Sequence, residues 1–397
     1  MHGTAIVCRV KIRYVLNNAY GAGGTIRTVI NQANAMCVEH DVEIASVLQT
    51  REKTVFAVDP RVRLVSLTGL RDDGSRFTDP QGGNSRVWRK TRRFRNRFPH
   101  GRDYRFKRWD PMLDLAIIRY FRRQKDGVLI TTRPGLNLLA AWTAPRRLLR
   151  IAQDHMNLGT YKPALRAELV RAYPRLDAVA VLTEHDLADW RAAVGDRVRL
   201  ERIPNGIPPF AEPGSSPEAK TVVAAGRFSP QKGFDLLVEA WAAVHAKHPD
   251  WVLKIFGNGP MRERLIARAD ELGLGESVTM PGITRQLDSE LSAASVYVLS
   301  SRFEGLPMVL LEAMSAGLPA VAFDCPTGPA EVVQDGVNGR LVPAEDVDGL
   351  AAALCELIED PERLRAMGAG ALKSSEPFSM PAVSAHWTRF LTELSRS

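Results

Sequence analysis

Two glutamates eight residues apart, Glu304 and Glu312, stand in a segment that could bind hydroxyl groups. The segment EGLPMVLLEAM follows the apolar run 296–299, which predicts a buried strand. Pro307 fits the first turn of a helix, and Glu312 then lies inside the apolar run 308–316, where an unpaired carboxylate is costly. A carboxylate in that place needs donors, and a ribose offers two adjacent hydroxyls. A buried glutamate satisfied by the backbone is the alternative for Glu312.

Two cations, Arg227 and Lys232, stand in the loop RFSPQKG after the apolar run 221–226. A diphosphate suits such a loop, because arginine donates two parallel bonds and lysine supplies a point charge. The sequence lacks G-x-x-x-x-G-K-[ST], which argues against a nucleoside triphosphatase. Solvated surface cations are the alternative.

A third candidate is the glycine-rich stretch GAGGT at residues 21–25, where Gly23 and Gly24 come at a predicted helix start. Glycine lets the backbone approach a ligand, and a helix N-terminus offers free N–H groups to a phosphate. Ile26 stands where a dinucleotide fingerprint has its third glycine, and a tight turn with no ligand is the alternative.

Strands alternate with helices in both halves of the chain, which predicts two α/β domains with parallel sheets. Residues 204–217 hold five prolines and predict the linker between the domains. Parallel sheets bind ligands beyond the carboxyl ends of their strands, so the loops after the strands matter most. The predicted strands are 12–16, 43–47, 63–65, 128–130, 148–152, 178–181, 199–203, 221–226, 251–256, 277–280, 296–299 and 320–323. The predicted helices are 25–38, 112–123, 165–173, 185–194, 234–248, 261–272, one at Leu291, 309–316, 347–359 and 381–394.

The charges are distributed unevenly along the 397 residues, whose 45% apolar and 25% charged composition is that of an ordinary globular protein. The first 205 residues hold 37 basic and 20 acidic side chains, a balance of +17, whereas the remainder holds 16 and 25, a balance of −9. Residues 86–108 alone carry eleven basic side chains and one acid, Asp103. This insertion is a solvated loop, a contact for an anionic partner, or a nucleic-acid contact.

The cysteines and the apolar runs indicate the cellular compartment of the protein. Cys8, Cys37, Cys325 and Cys355 are far apart and form no metal-ligand spacing, which favours reduced thiols in the cytoplasm. No stretch approaches 18 uncharged apolar residues, so any membrane contact is expected to be peripheral.

The segments GRFSPQKG, FGNGP and EGLPMVLLEAMSAGLPAVAFD resemble the donor-binding domain of retaining GT-B glycosyltransferases, specifically glycosyltransferase family 4. Glu304 and Glu312 match the E-x7-E motif of that family. The resemblance implies a GT-B fold, in which two Rossmann-like doubly wound parallel-sheet domains face a central cleft. It implies an acceptor-binding domain at 1–207 with the insertion 86–108, a nucleotide-sugar domain at 208–377, and a C-terminal helix at 378–397 returning to the first domain.

The resemblance also implies roles for individual residues of the second half. Arg227 and Lys232 would bind the donor diphosphate, Glu312 the ribose hydroxyls and Glu304 the sugar hydroxyls. Backbone amides would surround the phosphates, and the FGNGP loop and a PGIT turn would lie near the nucleotide. The remaining donor-site residues are Gly257, Asn258, Ile283, Gly305, Leu306 and Met308.

In the first half, the resemblance assigns Gly23 and Gly24 to a glycine loop that faces the diphosphate. His155, in IAQDHMN, stands where the family places a histidine near the transferred sugar, although a lone histidine is as often structural. The order Asp154-His155 differs from the His-Asp order of some relatives, so the role of Asp154 stays open. Asn205, in a Pro-Asn-Gly turn, either contacts the cleft or only shapes the turn.

The implied reaction is retaining transfer of a hexose or N-acetylhexosamine to an acceptor hydroxyl, with His155, Glu304, Arg227 and Lys232 as the catalytic set. No Asp-x-Asp metal site resembles that of metal-dependent enzymes, so neither a metal nor another cofactor is expected. The donor is expected to be a UDP-sugar, UDP-glucose or UDP-N-acetylglucosamine.

The acceptor stays open among an anionic glycan, a polyol-phosphate polymer, a lipid-linked sugar and a small natural product. A peripheral contact of residues 86–108 with the inner face of the plasma membrane is a further expectation, and no nucleic-acid partner is expected. A nucleotide-sugar 2-epimerase of the same fold and a polyanion- or membrane-binding module are the alternative functions.

Overall fold

The computed structural model describes residues 9–69, 111–208, 210 and 217–396. The chain divides into two compact units, one of Met1–Gly206 with Met380–Ser397 and one of Ile207–Ser379. The insertion predicted at 86–108 lies outside the described residues, as does half of the proline-rich linker 204–217.

Seven parallel strands form the sheet of the first unit, in the order β3-β2-β1-β4-β5-β6-β7. The sequences VLIT of β4 and AVAV of β6 are buried at every position, as expected for strands covered on both faces. The strand order reverses between β1 and β4, which pair with each other. The strands are β1 Lys11–Asn18, β2 Asp41–Leu48, β3 Arg63–Ser66, β4 Val128–Thr131, β5 Leu149–Gln153, β6 Ala178–Val181 and β7 Arg199–Arg202.

The helices of the first unit include the last helix of the chain. Helix α13 packs against α1, and Trp387, Phe390 and Leu391 of α13 join the apolar core on that side of the sheet. The chain therefore returns to its first unit after completing the second. The helices are α1 Gly24–Met36, α2 Pro111–Arg123, α3 Pro134–Thr143, α4 Pro163–Ala172, α5 Glu184–Val194 and α13 Met380–Leu394.

Six parallel strands form the sheet of the second unit, in the order β10-β9-β8-β11-β12-β13. The order reverses between β8 and β11, which pair at their buried central residues. The strands are β8 Thr221–Ala225, β9 Val252–Phe256, β10 Val278–Gly282, β11 Val296–Leu299, β12 Ala320–Asp324 and β13 Gly339–Pro343. The helices are α6 Phe234–Lys247, α7 Arg262–Glu271, α8 Leu287–Ser292, α9 Met308–Ser315, α10 Pro329–Val332, α11 Val347–Glu359 and α12 Pro361–Ser375.

The predicted strands agree with the observed ones within about two residues at each end, and the doubly wound α/β architecture is confirmed in each unit. The prediction omitted α3, α10, α12 and β13. Every residue of α3 from Pro134 to Ala141 is buried, so its sequence has no polar face to reveal a helical period. Within the described residues, no helix combines the length and apolar character needed to cross a membrane.

Candidate functional site

The best-defined candidate site lies at the carboxyl edge of the second sheet, where the strand order reverses. Two loops leave this edge from neighbouring strands: the β8 loop, residues 226–233, and the β11 loop, residues 300–307. At such a reversal the chain leaves the two strands toward opposite sides of the sheet, and a crevice opens between the loops.

Lys232 of the β8 loop and Glu304 of the β11 loop are in direct contact. Lys232 Nζ lies 2.6 Å from Glu304 Oε1, and the two side chains are 20% and 7% exposed. Ser301 Oγ donates to the same oxygen at 2.5 Å. The hydroxyl of Thr327, in the loop after β12, donates to the carbonyl of Glu304. The two predicted residues therefore form one fixed cation–carboxylate pair that can bond to both phosphate oxygens and hydroxyls.

Arg227 begins the β8 loop and is exposed to solvent. Within the described part of the chain, its guanidinium makes no ion pair. The sequence predicted two cations in this loop, and the structure gives them different settings: Lys232 is paired and largely buried, whereas Arg227 presents its donors at the edge.

Glu312 lies in α9 and is 4% exposed, so the sequence-based expectation of a buried carboxylate is confirmed. The charge of Glu312 acts on the buried Tyr297 in β11. Burial chiefly raises the pKa of the Tyr297 hydroxyl, and the charges of Glu304 and Glu312 raise it further. The charges of both glutamates of the E-x7-E segment therefore act on one buried phenol, although seven residues separate the two in the chain.

The loops after β9 and β10 continue the same edge. Phe228 N donates to Asn258 O at 3.0 Å, and Gly257 N donates to Gly282 O at 2.8 Å. Gly257 has φ +138°, and a Cβ there would lie 1.8 Å from Gly226 O, so only glycine fits this contact. Ile283 is 78% exposed and follows β10 directly.

Gly305, Leu306 and Met308 complete the β11 loop and the first turn of α9. Leu306 is buried, and Met308 is the first residue of the helix, whose leading N–H groups lack partners within the helix. Gly328, at φ +91°, lies so close that a Cβ there would be 1.8 Å from Gly305 O. The loop after β12 therefore supports the β11 loop from the side.

In the first unit, Gly23 and Gly24 lie where α1 begins, after β1. Gly23 has φ 174°, an extended conformation open to any residue. A Cβ at Gly24 would meet nothing within 4 Å, and one at Gly23 would meet only Ile26 Cδ1 at 3.9 Å. Since neither packing nor backbone geometry demands glycine here, the two residues leave the start of α1 open to close approach.

His155 and Asp154 follow β5 at the carboxyl edge of the first sheet. Burial lowers the pKa of His155 to about 4, so its imidazole is neutral near pH 7. His155 Nε2 is buried and has no hydrogen-bond partner among the described residues.

Asp154 is held differently. Burial raises the pKa of its carboxyl to about 7, and the hydroxyls of Tyr161 and Tyr173 and the Met156 amide donate to it. Asp154 therefore fastens the loop that carries His155.

Asn205 follows β7 at the same edge and is 6% exposed. Its Oδ1 is buried without a hydrogen-bond partner in the described part of the chain. A turn asparagine ordinarily bonds its own backbone, and Asn205 Oδ1 makes no such bond here.

Comparison with known proteins relates the second half of this chain to one family. Residues 210–374 match the family described as Glycosyl transferases group 1. The chain contains a group 1 glycosyltransferase domain.

A curated relative agrees with this class, and a solved structure agrees with the fold. The amylovoran biosynthesis glycosyltransferase AmsD of Erwinia amylovora is 29% identical over 69% of this chain and 80% of its own length. S. aureus TarM, solved with fondaparinux, alpha-GlcNAc-glycerol and UDP, superposes with a TM-score of 0.78 at 15% identity, covering 96% of this chain and 99% of TarM. The expected GT-B fold class is thereby confirmed, as is a glycosyltransferase at the level of this domain. No finding supports the epimerase alternative.

A further relative is named as a phosphotransferase and not as a glycosyltransferase. The exopolysaccharide phosphotransferase SCO2592 of Streptomyces coelicolor is 37% identical over 97% of this chain. The chain spans 41% of the length of that relative.

The glycosyltransferase domain also contains residues at its carboxyl edge that the sequence did not reveal. Arg302, Ser301 and Asp235 bond within or between the β8 and β11 loops and the start of α6. Ser301 and Arg302 stand shortly before the E-x7-E motif. The partner of Arg302 could not be read from spacing, because Asp235 is 67 residues away.

Proposed function

We propose that the protein is a retaining glycosyltransferase that moves a hexose or N-acetylhexosamine from a UDP-sugar to an acceptor hydroxyl. The observation that carries the proposal is the Lys232–Glu304 pair, 2.6 Å apart at the strand reversal of a group 1 glycosyltransferase domain. One loop of this pair offers cations and the other offers a carboxylate, which suits a ligand made of a diphosphate joined to a polyol.

In this proposal Arg227 and Lys232 bind the diphosphate. The exposed guanidinium of Arg227 donates two parallel bonds to one phosphate, and Lys232 turns from Glu304 toward the other. The amides of Gly305, Leu306 and Met308 add donors at the start of α9, where the helix dipole favours an anion.

Glu312 and the loops after β9 and β10 bind the nucleoside. Glu312 accepts from the ribose hydroxyls, and its burial makes such charge-assisted bonds strong. Gly257 and Asn258 border the β8 loop, and the exposed Ile283 offers apolar area to the base. Glu304 accepts from hydroxyls of the transferred sugar.

Residues of the first unit take part as well. Gly23 and Gly24 approach the diphosphate through the open start of α1. His155 is neutral near pH 7, so it acts on the sugar by hydrogen bonding rather than by charge. Its orphaned Nε2 supports this role, since a buried ring nitrogen without a partner is costly unless a ligand supplies one.

The proposed chemistry proceeds on one face of the sugar. The bond between the anomeric carbon and the diphosphate oxygen breaks, the acceptor oxygen forms a bond to the same carbon, and the acceptor proton passes to the departing diphosphate. Arg227, Lys232 and the loop amides stabilise the negative charge that develops on the leaving group, where preorganised donors accelerate a reaction most. We propose that no metal ion is required.

For the acceptor, we propose an anionic or polyol-phosphate glycan bound through the basic residues 86–108, with a peripheral contact to an anionic membrane as the alternative role of that segment. The eleven basic side chains there carry the proposal. The glycerol-linked sugar in the TarM complex supports a polyol acceptor by analogy. Deleting 86–108 is expected to spare UDP binding and to weaken acceptor use in a salt-dependent way.

The decisive experiment incubates the protein with UDP-glucose or UDP-N-acetylglucosamine and candidate acceptors, with EDTA present, and follows the nucleotide and acceptor masses. Glycosyl transfer releases UDP and adds a sugar to the acceptor, whereas transfer of a sugar phosphate releases UMP. Lys232→Met and Glu312→Gln are expected to abolish transfer. Lys220→Met is the matched control, because Lys220 pairs with Asp250 on the surface of the same unit. Wild-type turnover retained in both test variants would contradict the assignment.

A further inference from the structure

Arg302, in the middle of the β11 loop, holds that loop to the start of α6. Its Nη1 and Nη2 donate to the two carboxylate oxygens of Asp235 at 2.9 and 2.8 Å. Nη1 also donates to Pro230 O at 2.8 Å, and Nε donates to Glu345 at 3.2 Å. Every nitrogen of the guanidinium is therefore bonded, and the side chain is 26% exposed.

The backbone beside Arg302 repeats the connection. Arg302 N donates to Gln231 O at 2.8 Å, and Gln231 Nε2 donates to Phe303 O at 3.0 Å. Ser300 Oγ donates to Lys232 O at 3.0 Å. These bonds join residues 231–232 of the β8 loop to residues 300–303, which directly precede Glu304, across the place where the strand reversal would otherwise separate the loops.

Both partners of the Arg302–Asp235 pair are held in their charged forms. Hydrogen bonding to Arg302 chiefly lowers the pKa of Asp235, and bonding to Asp235 raises that of Arg302. Asp235 also lies in the first turn of α6, where the helix dipole favours a carboxylate. The pair is thus anchored to a helix rather than to a second loop.

We propose that Arg302 is a positioning residue: through its fork to Asp235 and Pro230 it sets the separation of Lys232 and Glu304. The inference rests on the proposed function, in which Lys232 binds the leaving diphosphate and Glu304 binds the sugar. If the β11 loop shifts, the diphosphate and the sugar are no longer held in the geometry that transfer requires, and a displacement of about 1 Å can cost as much as about 100-fold in rate. Lysine cannot replace the planar fork, although it keeps the charge.

The test compares Arg302→Met and Arg302→Lys with the control Arg268→Met. Arg268 makes the same kind of two-pronged pair, with Glu239 of α6 at 2.6 and 3.1 Å, but it belongs to neither loop. For each protein, Tm, the Kd for UDP by calorimetry, and kcat and KM for the UDP-sugar are measured.

We expect Arg302→Met and Arg268→Met to lower Tm by similar amounts, while only Arg302→Met lowers kcat by about tenfold or more. Its Kd for UDP is expected to change by less than its kcat, and Arg302→Lys is expected to fall between it and the wild type. A folded Arg302→Met protein with wild-type kcat and KM would overturn the positioning role alone. A wild-type protein that fails to bind UDP would overturn the proposed function and the positioning role together.

Discussion

His155 and Asp154 are neighbours in the chain, and burial disfavours the charged form of each. The pKa of His155 is lowered to about 4, whereas that of Asp154 is raised to about 7. Between about pH 4 and 6.5 the unfolded chain binds more protons at His155, so this residue makes the folded state less stable as pH falls. Between about pH 4 and 7 the folded state binds more protons at Asp154, so this residue has the opposite effect. The two contributions largely cancel in the native protein.

Single substitutions are expected to expose the two contributions. When the pH is lowered from 7 to 5, the free energy of unfolding of His155→Asn is expected to rise by about 2 kcal/mol more than that of the wild type. The reason is that Asp154 still stabilises the folded state as pH falls, while the opposing effect of His155 is gone. The free energy of unfolding of Asp154→Asn is expected to fall by about the same amount relative to wild type, because only the destabilising effect of His155 remains. Urea unfolding at both pH values measures the change. Parallel pH dependence of both variants would contradict the opposed shifts.

The sequence predicted Lys232, Glu304 and Glu312 as individual residues, since each residue type and its place after a strand could be read directly. It did not predict that Lys232 and Glu304 touch, because 72 residues separate them and only the sheet order brings their loops together. Arg302 was missed for the same reason. Asp154 was left without a role, because its tyrosine partners are set by tertiary packing and not by motif.

At the scale of elements, the loop after β12 packs against the β11 loop and supports it. Gly328→Ala is expected to cost well over 1 kcal/mol and to impair transfer, because a Cβ there would lie 1.8 Å from Gly305 O in addition to the strain of φ +91°. Gly336→Ala is the matched control, because Gly336 has a similar φ of +78° but nothing within 4 Å of its Cβ position. Urea unfolding and UDP release measure both effects.

Equal losses in the two alanine variants would contradict this contact. Backbone strain alone would then explain the cost, and Gly328 would not support the loop. An active Gly328→Ala enzyme with lowered stability would restrict the role of the contact to folding.

Elements with a clear apolar period were predictable, and those without one were not. Strands β6 and β11 were predicted at their observed bounds, because both are short apolar runs, and β11 is flanked by Ser295 and Ser300. Helix α3 was missed because it is buried around its circumference, and α12 because two glycines interrupt its sequence. Strand β13, GRLVP, is too short and too polar at its ends to stand out.

At the scale of the whole molecule, the chain leaves its first unit at residue 206 and returns to it at residue 380. The apolar spacing of Val383, Trp387, Phe390 and Leu391 predicted α13 but did not show which core those side chains enter, and only the family resemblance implied a return to the first domain. In the structure they join the core formed by β1, β2 and α1. Pairs from His386 to Glu201 and from Arg199 to Glu393 add contacts within the same unit.

The return of α13 makes the stability of the first unit depend on the last residues of the chain. Trp387 is fully buried in this core, so Trp387→Ala is expected to destabilise the first unit by about 3–5 kcal/mol. Hydrogen exchange should then show lost protection in β1 and β2, with β8 and β11 of the second unit protected as in wild type. Arg389→Ala, an exposed position on the same helix, is the control and is expected to leave both patterns unchanged. Equal loss of protection in β8 would show that the helix stabilises both units, and the division at residues 379 and 380 would not describe how the chain unfolds.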